Sequence, residues 1–105
     1  MKLTSFLQNG QLTVALTGEI DHHRAKGYIQ EISSKMEAYA PTVCILDFEE
    51  VTFMDSSGIA VVINALRCAG RMNCKLILCG ISEQPMKVFR MSGVDKLVEI
   101  KEAFV

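Results

Sequence analysis

The chain has 105 residues, half of them hydrophobic and 22% charged, with a formal net charge of -1. That length suits one domain with a single core that needs no disulfide or metal staples, and the composition excludes a disordered polar chain. The near-neutral charge supplies no basic footprint for phosphate backbones, so nucleic-acid binding is set aside.

The opening run MKLTSFLQNGQLTV is interrupted by polar residues and lacks the apolar core of a secretory signal. No later stretch is long and apolar enough to span a bilayer, so a cytoplasmic protein without membrane insertion is expected. Asn9 and Gly10 separate KLTSFLQ from QLTVALTG, which predicts an antiparallel hairpin. In the second run Leu12, Val14 and Leu16 alternate with Thr13, Ala15 and Thr17, burying one face more than the other. Asp21 is a helix cap before HHRAKGYIQEISSKMEAYA, where Ala25, Ile29, Ile32 and Met36 recur at helical intervals until Pro41 ends the pattern.

VCILDF, residues 43–48, is a nearly unbroken apolar run and predicts a strand covered on both faces. SSGIAVVINALRCAG follows as a helix ending near Gly70, and KLILCG supplies another strand. Ser82 caps a short helix through QPMKVFRMSG, with Gly93 and Val94 placed for a left-handed end and its hydrophobic contact. LVEI is a last strand, set at an edge because Glu99 breaks its apolar run. The cysteines Cys44, Cys68, Cys74 and Cys79 form no CxxC pair, and three sit in apolar runs, so they read as buried free thiols.

This order predicts one α/β domain over residues 1–105, an N-terminal β-hairpin leading into a mostly parallel sheet with crossover helices. Right-handed crossovers bring the carboxyl ends of the parallel strands to one edge. Residues 19–23, 52–58 and 80–84 then share the edge where open α/β sheets keep their functional groups.

At that edge VTFMDSSGIAVVI, residues 51–63, begins an apolar helix with an acid, two serines and a glycine. One such residue serves as a cap, but three exceed what capping needs, and a glycine in the first turn costs up to about 1 kcal/mol against alanine. A serine hydrolase built on Ser56 or Ser57 with His22 or His23 is disfavoured, because Met54 and Asp55 stand where GxSxG requires glycine. Adjacent His22 and His23 diverge by about 100° on a helix and grip one ion poorly, so no metal is expected. Neither GxxxxGKS/T nor GxGxxG occurs, so no nucleotide cofactor is expected and any phosphoryl donor arrives on another protein. A serine at the helix start fits the role of phosphate acceptor, since a phosphate there would face unpaired amide hydrogens and the positive end of the helix dipole, and the neighbouring Asp55 and Asp21 make the modified surface strongly negative.

LTGEIDHHRA at 16–25, ILDFEEVTFMDSSGIAVVI at 45–63 and FRMSGVDKLVEI at 89–100 together resemble the anti-sigma factor antagonists, bacterial single-domain members of the STAS group. The likeness runs in order over nearly the whole chain, and FMDSSGI is its most specific part. It implies a regulatory protein, not an enzyme, acting in a partner switch. In that switch the unmodified antagonist binds an anti-sigma factor that is also a serine kinase of histidine-kinase-like ATPase fold, and so frees the sigma factor. Phosphorylation weakens the complex, and a metal-dependent serine phosphatase restores it. The family's acceptor, the first hydroxyl residue after the motif aspartate, corresponds to Ser56, with Ser57 as second choice. Asp55 would cap the helix and orient Ser56, and Gly58 would let the partner's backbone or nucleotide lid come close. Asp21, His22, Phe53, Met54 and Ser57 complete the expected partner-binding set, Phe53 and Met54 as exposed apolar contacts. A scaffold without a phosphate cycle, or a cytoplasmic component of a lipid-transport complex, is the alternative STAS role. Ala60 departs from the second glycine of many relatives, and the closing helix of the family is expected to be short or missing.

Overall fold

Asn9 and Gly10 carry positive φ values of 53° and 78°. A two-residue hairpin turn needs that backbone to match the twist of its strands, and here it joins β1 (Leu3–Gln8) antiparallel to β2 (Gln11–Ile20), with Gln8 opposite Gln11. The computed structural model describes residues 3–102, so Lys2 of the expected first strand and any closing helix in 103–105 lie outside the described residues.

After β2 come α1 (His22–Tyr39), β3 (Val43–Met54), α2 (Ser57–Arg71), β4 (Lys75–Cys79), α3 (Glu83–Ser92), a 3-10 turn at Val94–Lys96 and β5 (Glu99–Lys101). The sheet order is β1-β2-β3-β4-β5, and every pair from β2 to β5 is parallel. The chain therefore has the expected α/β architecture, a hairpin feeding a parallel sheet with crossover helices. Gly93, at φ 83°, ends α3 with Val94 buried behind it, and β5 lies at the sheet edge.

Successive strands are sheet neighbours, so right-handed crossovers lay all three helices on one face. The main core forms there: Leu12, Val14, Leu16, Leu46, Phe48 and Leu78 from the strands meet Tyr28, Ile32, Val62, Ala65 and Phe89 from the helices. The Phe48 and Phe89 rings pack edge to face, 5.6 Å between centroids. Residues 43–48 are expected to be covered on both faces, and Ile45 is buried on the second one too, by side chains of the neighbouring strand and not by a helix. Ile45, Ile77 and Cys79, with Val43 against them, point to the other side and form a small separate cluster to which, among the described residues, no helix contributes.

β3 runs six residues beyond its predicted end, and its register against β2 slips twice. Ala15 pairs with Asp47 but Thr17 with Glu50; Gly18 pairs with Val51 but Glu19 with Phe53. Each slip inserts one extra β3 residue, and each turns the following side chain to the opposite face. Inward positions therefore fall at Phe48, Val51 and Met54, every third residue instead of every second. These bulges aim the end of β3 toward α2.

Candidate functional site

Three junctions meet at the carboxyl edge, as expected, and the β3–α2 turn is tied to both neighbours. The Asp55 amide donates to the Ile20 carbonyl at 3.1 Å, linking the turn to the end of β2. On the other side the Gln84 carboxamide grips Met54 at two points: its Oε1 accepts from the Met54 amide at 2.8 Å and its Nε2 donates to the Met54 carbonyl at 2.7 Å.

Asp55 begins α2. Its Oδ1 accepts from the Ser57 amide at 2.8 Å and its carbonyl from the Gly58 amide at 3.1 Å, which satisfies two of the first-turn donors. The Ile59 amide donates to the Ser56 carbonyl at 3.1 Å. Ser56 already has helical backbone angles, is exposed, and makes no side-chain capping bond. The expectation that a phosphate on Ser56 meets unpaired amides needs correction, because the amides of residues 57–59 already have partners. What remains is the positive end of the helix dipole.

The two serines face different grooves. Ser56 lies at a groove of about 360 Å³ between α2 and α3, lined also by Ile59, Val88, Met91 and Ser92. Ser57 lies at a groove of about 240 Å³ between α1 and α2, with His22, Ala25, Lys26, Ile29 and Ala60. Among the described residues no cationic one lines the first groove, while Lys26 lines the second. His22 is thus brought to Ser57 and not to Ser56. Its ring is 6.0 Å from that of His23, the two inclined at 67°. Among the described residues no group of three or more His, Cys, Asp or Glu could hold a metal ion.

Asp21 is committed to α1. Its carboxylate accepts from the Arg24 amide at 3.0 Å and pairs with the Arg24 guanidinium at 3.2 Å. The amide bond, aided by the charges of Arg24 and His23, holds this carboxyl below the usual carboxylate range. Arg24 also stands 3.8 Å from Glu19, so Asp21 contributes less free negative charge at this edge than the sequence implied.

Phe53 is 45% exposed and stands where an apolar contact was expected. Met54 does not: it is fully buried, because the second β3 bulge turns it inward. The role of Gly58 changes with it. Gly58 is buried, and a Cβ there would overlap the Met54 Sδ and Cγ, so the missing side chain makes room for Met54 and not for a partner. Met91, 90% exposed on α3, and Gln84 were absent from the expected set. Val88 and Met91 flank the inward-facing Phe89 and widen the apolar face of α3 beyond what its core contact requires, a signal present in the sequence. The Gln84 clamp had none, since it depends on where β3 ends in space.

Among the described residues no helix is long and apolar enough to cross a membrane. Over 83 residues the chain is 32% identical to the anti-sigma F factor antagonist of Lysinibacillus sphaericus, covering 79% of this chain and 71% of that one. Over 90 residues it is 28% identical to the anti-sigma-B factor antagonist of Listeria monocytogenes, covering 86% and 78%. The solved structure of the Bacillus cell fate determinant SpoIIAA in its phosphorylated form superposes with a TM-score of 0.75 at 29% identity, covering 98% of this chain and 92% of that one. The STAS domain model matches residues 6–104. With this sheet order, this exposed serine at the head of α2 and a match over almost its whole length, the chain belongs to the STAS domain family.

Proposed function

We propose that the protein is an anti-sigma factor antagonist whose binding is switched at Ser56. The observation that carries this reading is the exposed Ser56 at the mouth of α2, which makes no capping bond and adjoins an apolar groove without a cation among its lining residues. The likeness to named antagonists and to a structure titled as phosphorylated supports it.

In the unmodified state the partner is an anti-sigma factor serine kinase of histidine-kinase-like ATPase fold. It docks on the face formed by Phe53, Asp55, Ser56 and the α2–α3 groove, with Asp21, His22 and Ser57 on the flank. The Ser56 Oγ then attacks the γ-phosphorus of ATP held by that kinase. A P–O bond forms to serine, the bond to the bridging oxygen breaks, ADP leaves, and the hydroxyl proton passes to the kinase's base. Asp55 holds the turn that presents the hydroxyl.

The product carries a charge of about -1.5 to -2 beside Ile59, Val88 and Met91. An apolar partner surface can cover those side chains only by stripping water from the phosphate, with no cation among the described lining residues to compensate. The complex therefore weakens without any rearrangement of the fold. A metal-dependent serine phosphatase returns the hydroxyl by hydrolysis. Ser57, beside Lys26, would hold a phosphate that its own groove partly neutralises, which makes it the poorer switch.

The test is incubation with the cognate kinase and MgATP, followed by mapping of the phosphate by mass spectrometry. Label on Ser56 that disappears in Ser56→Ala is the expected result; label that persists in Ser56→Ala sinks the assignment. Ser56→Asp should weaken kinase binding at least tenfold, about 1.4 kcal/mol, with a melting temperature within a few degrees of wild type.

A further inference from the structure

β4 ends at Cys79, opposite Asp47, whereas β3 continues to Met54. Among the described residues, the last seven of β3 therefore have no strand neighbour on the β4 side. At Met54, whose side chain is fully buried, the backbone N–H and C=O on an unpaired edge require other partners. The Gln84 carboxamide supplies both, at 2.8 and 2.7 Å, imitating the bonding pattern of a missing strand. Gln84 lies in the first turn of α3, thirty residues away in sequence.

We propose that Gln84 is the positioning residue of the switch: it fixes the Ser56 turn and the α3 wall of the docking groove in one geometry. The inference rests on the Ser56 reading. Met54 precedes the turn by one residue and is locked from inside by its packing against Gly58, so its main chain, held by Gln84, sets where Asp55 and Ser56 emerge. Gln84, Val88 and Met91 are spaced i, i+4 and i+7, on one helical face. The bond that anchors the turn thus also sets how far Val88 and Met91 stand from Ser56 across the groove. A partner seated on Val88 and Met91 finds the hydroxyl in reach only while the clamp holds. Misplacement of an attacking group by about 1 Å costs on the order of a hundredfold in rate.

Two measurements on the full chain test this. In Gln84→Leu, which keeps bulk and loses both hydrogen bonds, amide hydrogen exchange at Met54 and Asp55 should speed up at least tenfold. The kcat for phosphorylation by the cognate kinase should fall at least tenfold, with KM changed less than threefold. Gln84→Glu retains an acceptor for the Met54 amide but sets an oxygen against its carbonyl, and should fall between; it also serves if Gln84→Leu does not fold. Ile32→Val, a destabilised control in α1, should lower the melting temperature and leave kcat alone. Wild-type kcat in the Gln84 variants, or an equal loss in Ile32→Val at matched stability, overturns the proposal. Absence of label on Ser56 of the wild-type chain overturns instead the reading beneath it, and the exchange data still report whether Gln84 holds the turn.

Discussion

Met54 and Gly58 act as a knob and its hole. Serine or alanine would be the ordinary choice in the first turn of a helix, and alanine would gain up to about 1 kcal/mol of helix propensity. The space where the alanine methyl would sit holds the Met54 thioether, which is fully buried, so the methyl must displace it within the core. Overpacking of this kind costs about 1–3 kcal/mol, so the packing loss outweighs the propensity gain. Gly58→Ala is therefore expected to lower stability by about 1–2 kcal/mol in denaturant titration. An unchanged or raised midpoint would mean that the glycine serves the partner and not the core. Ser56 behaves in the opposite way: its side chain is exposed and makes no capping bond, which leaves its hydroxyl oxygen available for chemistry.

At the level of single elements, α1 and β3 show where local rules hold and where neighbours override them. Asp21 caps α1 as its sequence position indicates, and Tyr28 extends the buried stripe of Ala25, Ile32 and Met36 by donating its hydroxyl to the Thr17 carbonyl at 2.6 Å. The far end of α1 is less well made. The Ala40 amide closes the last bond of the helix ladder to the Met36 carbonyl, and Ala40 itself then takes the left-handed conformation at φ 44° and ψ 56° as the chain turns toward Pro41. Glycine adopts that conformation without the strain that a Cβ imposes, about 1–2 kcal/mol. Ala40→Gly should raise stability by about 0.5–1 kcal/mol after the extra freedom of the unfolded glycine is subtracted, visible as a higher thermal midpoint. A lower midpoint would contradict this account of the cap. In β3 the two bulges decide which residues face the core, and only their sum, two extra residues against β2, brings Met54 under α2 and Phe53 to the surface.

Across the whole molecule the four cysteines are buried and free, and the surroundings of Cys44 and Cys79 couple stability to alkaline pH. Burial pushes the Cys44 thiol up to about 12, with the Cys74 and Cys68 thiols adding to the effect. Burial likewise raises Cys79 to about 11, helped by Asp47 and Glu49. In the unfolded chain these thiols ionise near pH 8.5, while the folded chain keeps them neutral. Above that pH the unfolded state binds fewer protons than the folded one, so stability falls as pH rises from about 8.5 toward 11. Thermal midpoints should decline across this window, and Cys44→Ala should flatten the decline. A slope identical in the variant would show that the thiol does not carry the effect. In the folded protein at neutral pH the same thiols should react with an aromatic disulfide reagent only as fast as the chain opens.

Much of this architecture is legible in the sequence. The hairpin followed from Asn9-Gly10, the caps from Asp21 and Gly93, and the parallel sheet from the alternation of strands and helices, because turn chemistry and hydrophobic period act over a few residues. The serine at the head of α2 was equally plain. What only the tertiary structure decided were matters of register and reach: the inward turn of Met54, the separation of Ser56 and Ser57 into different grooves, the loss of free charge at Asp21, and the grip of Gln84 on a strand end thirty residues away. Each depends on how many residues one strand inserts against its neighbour and where the adjoining strand stops. Those counts are set by the fit of the assembled core and not by the preference of any short segment.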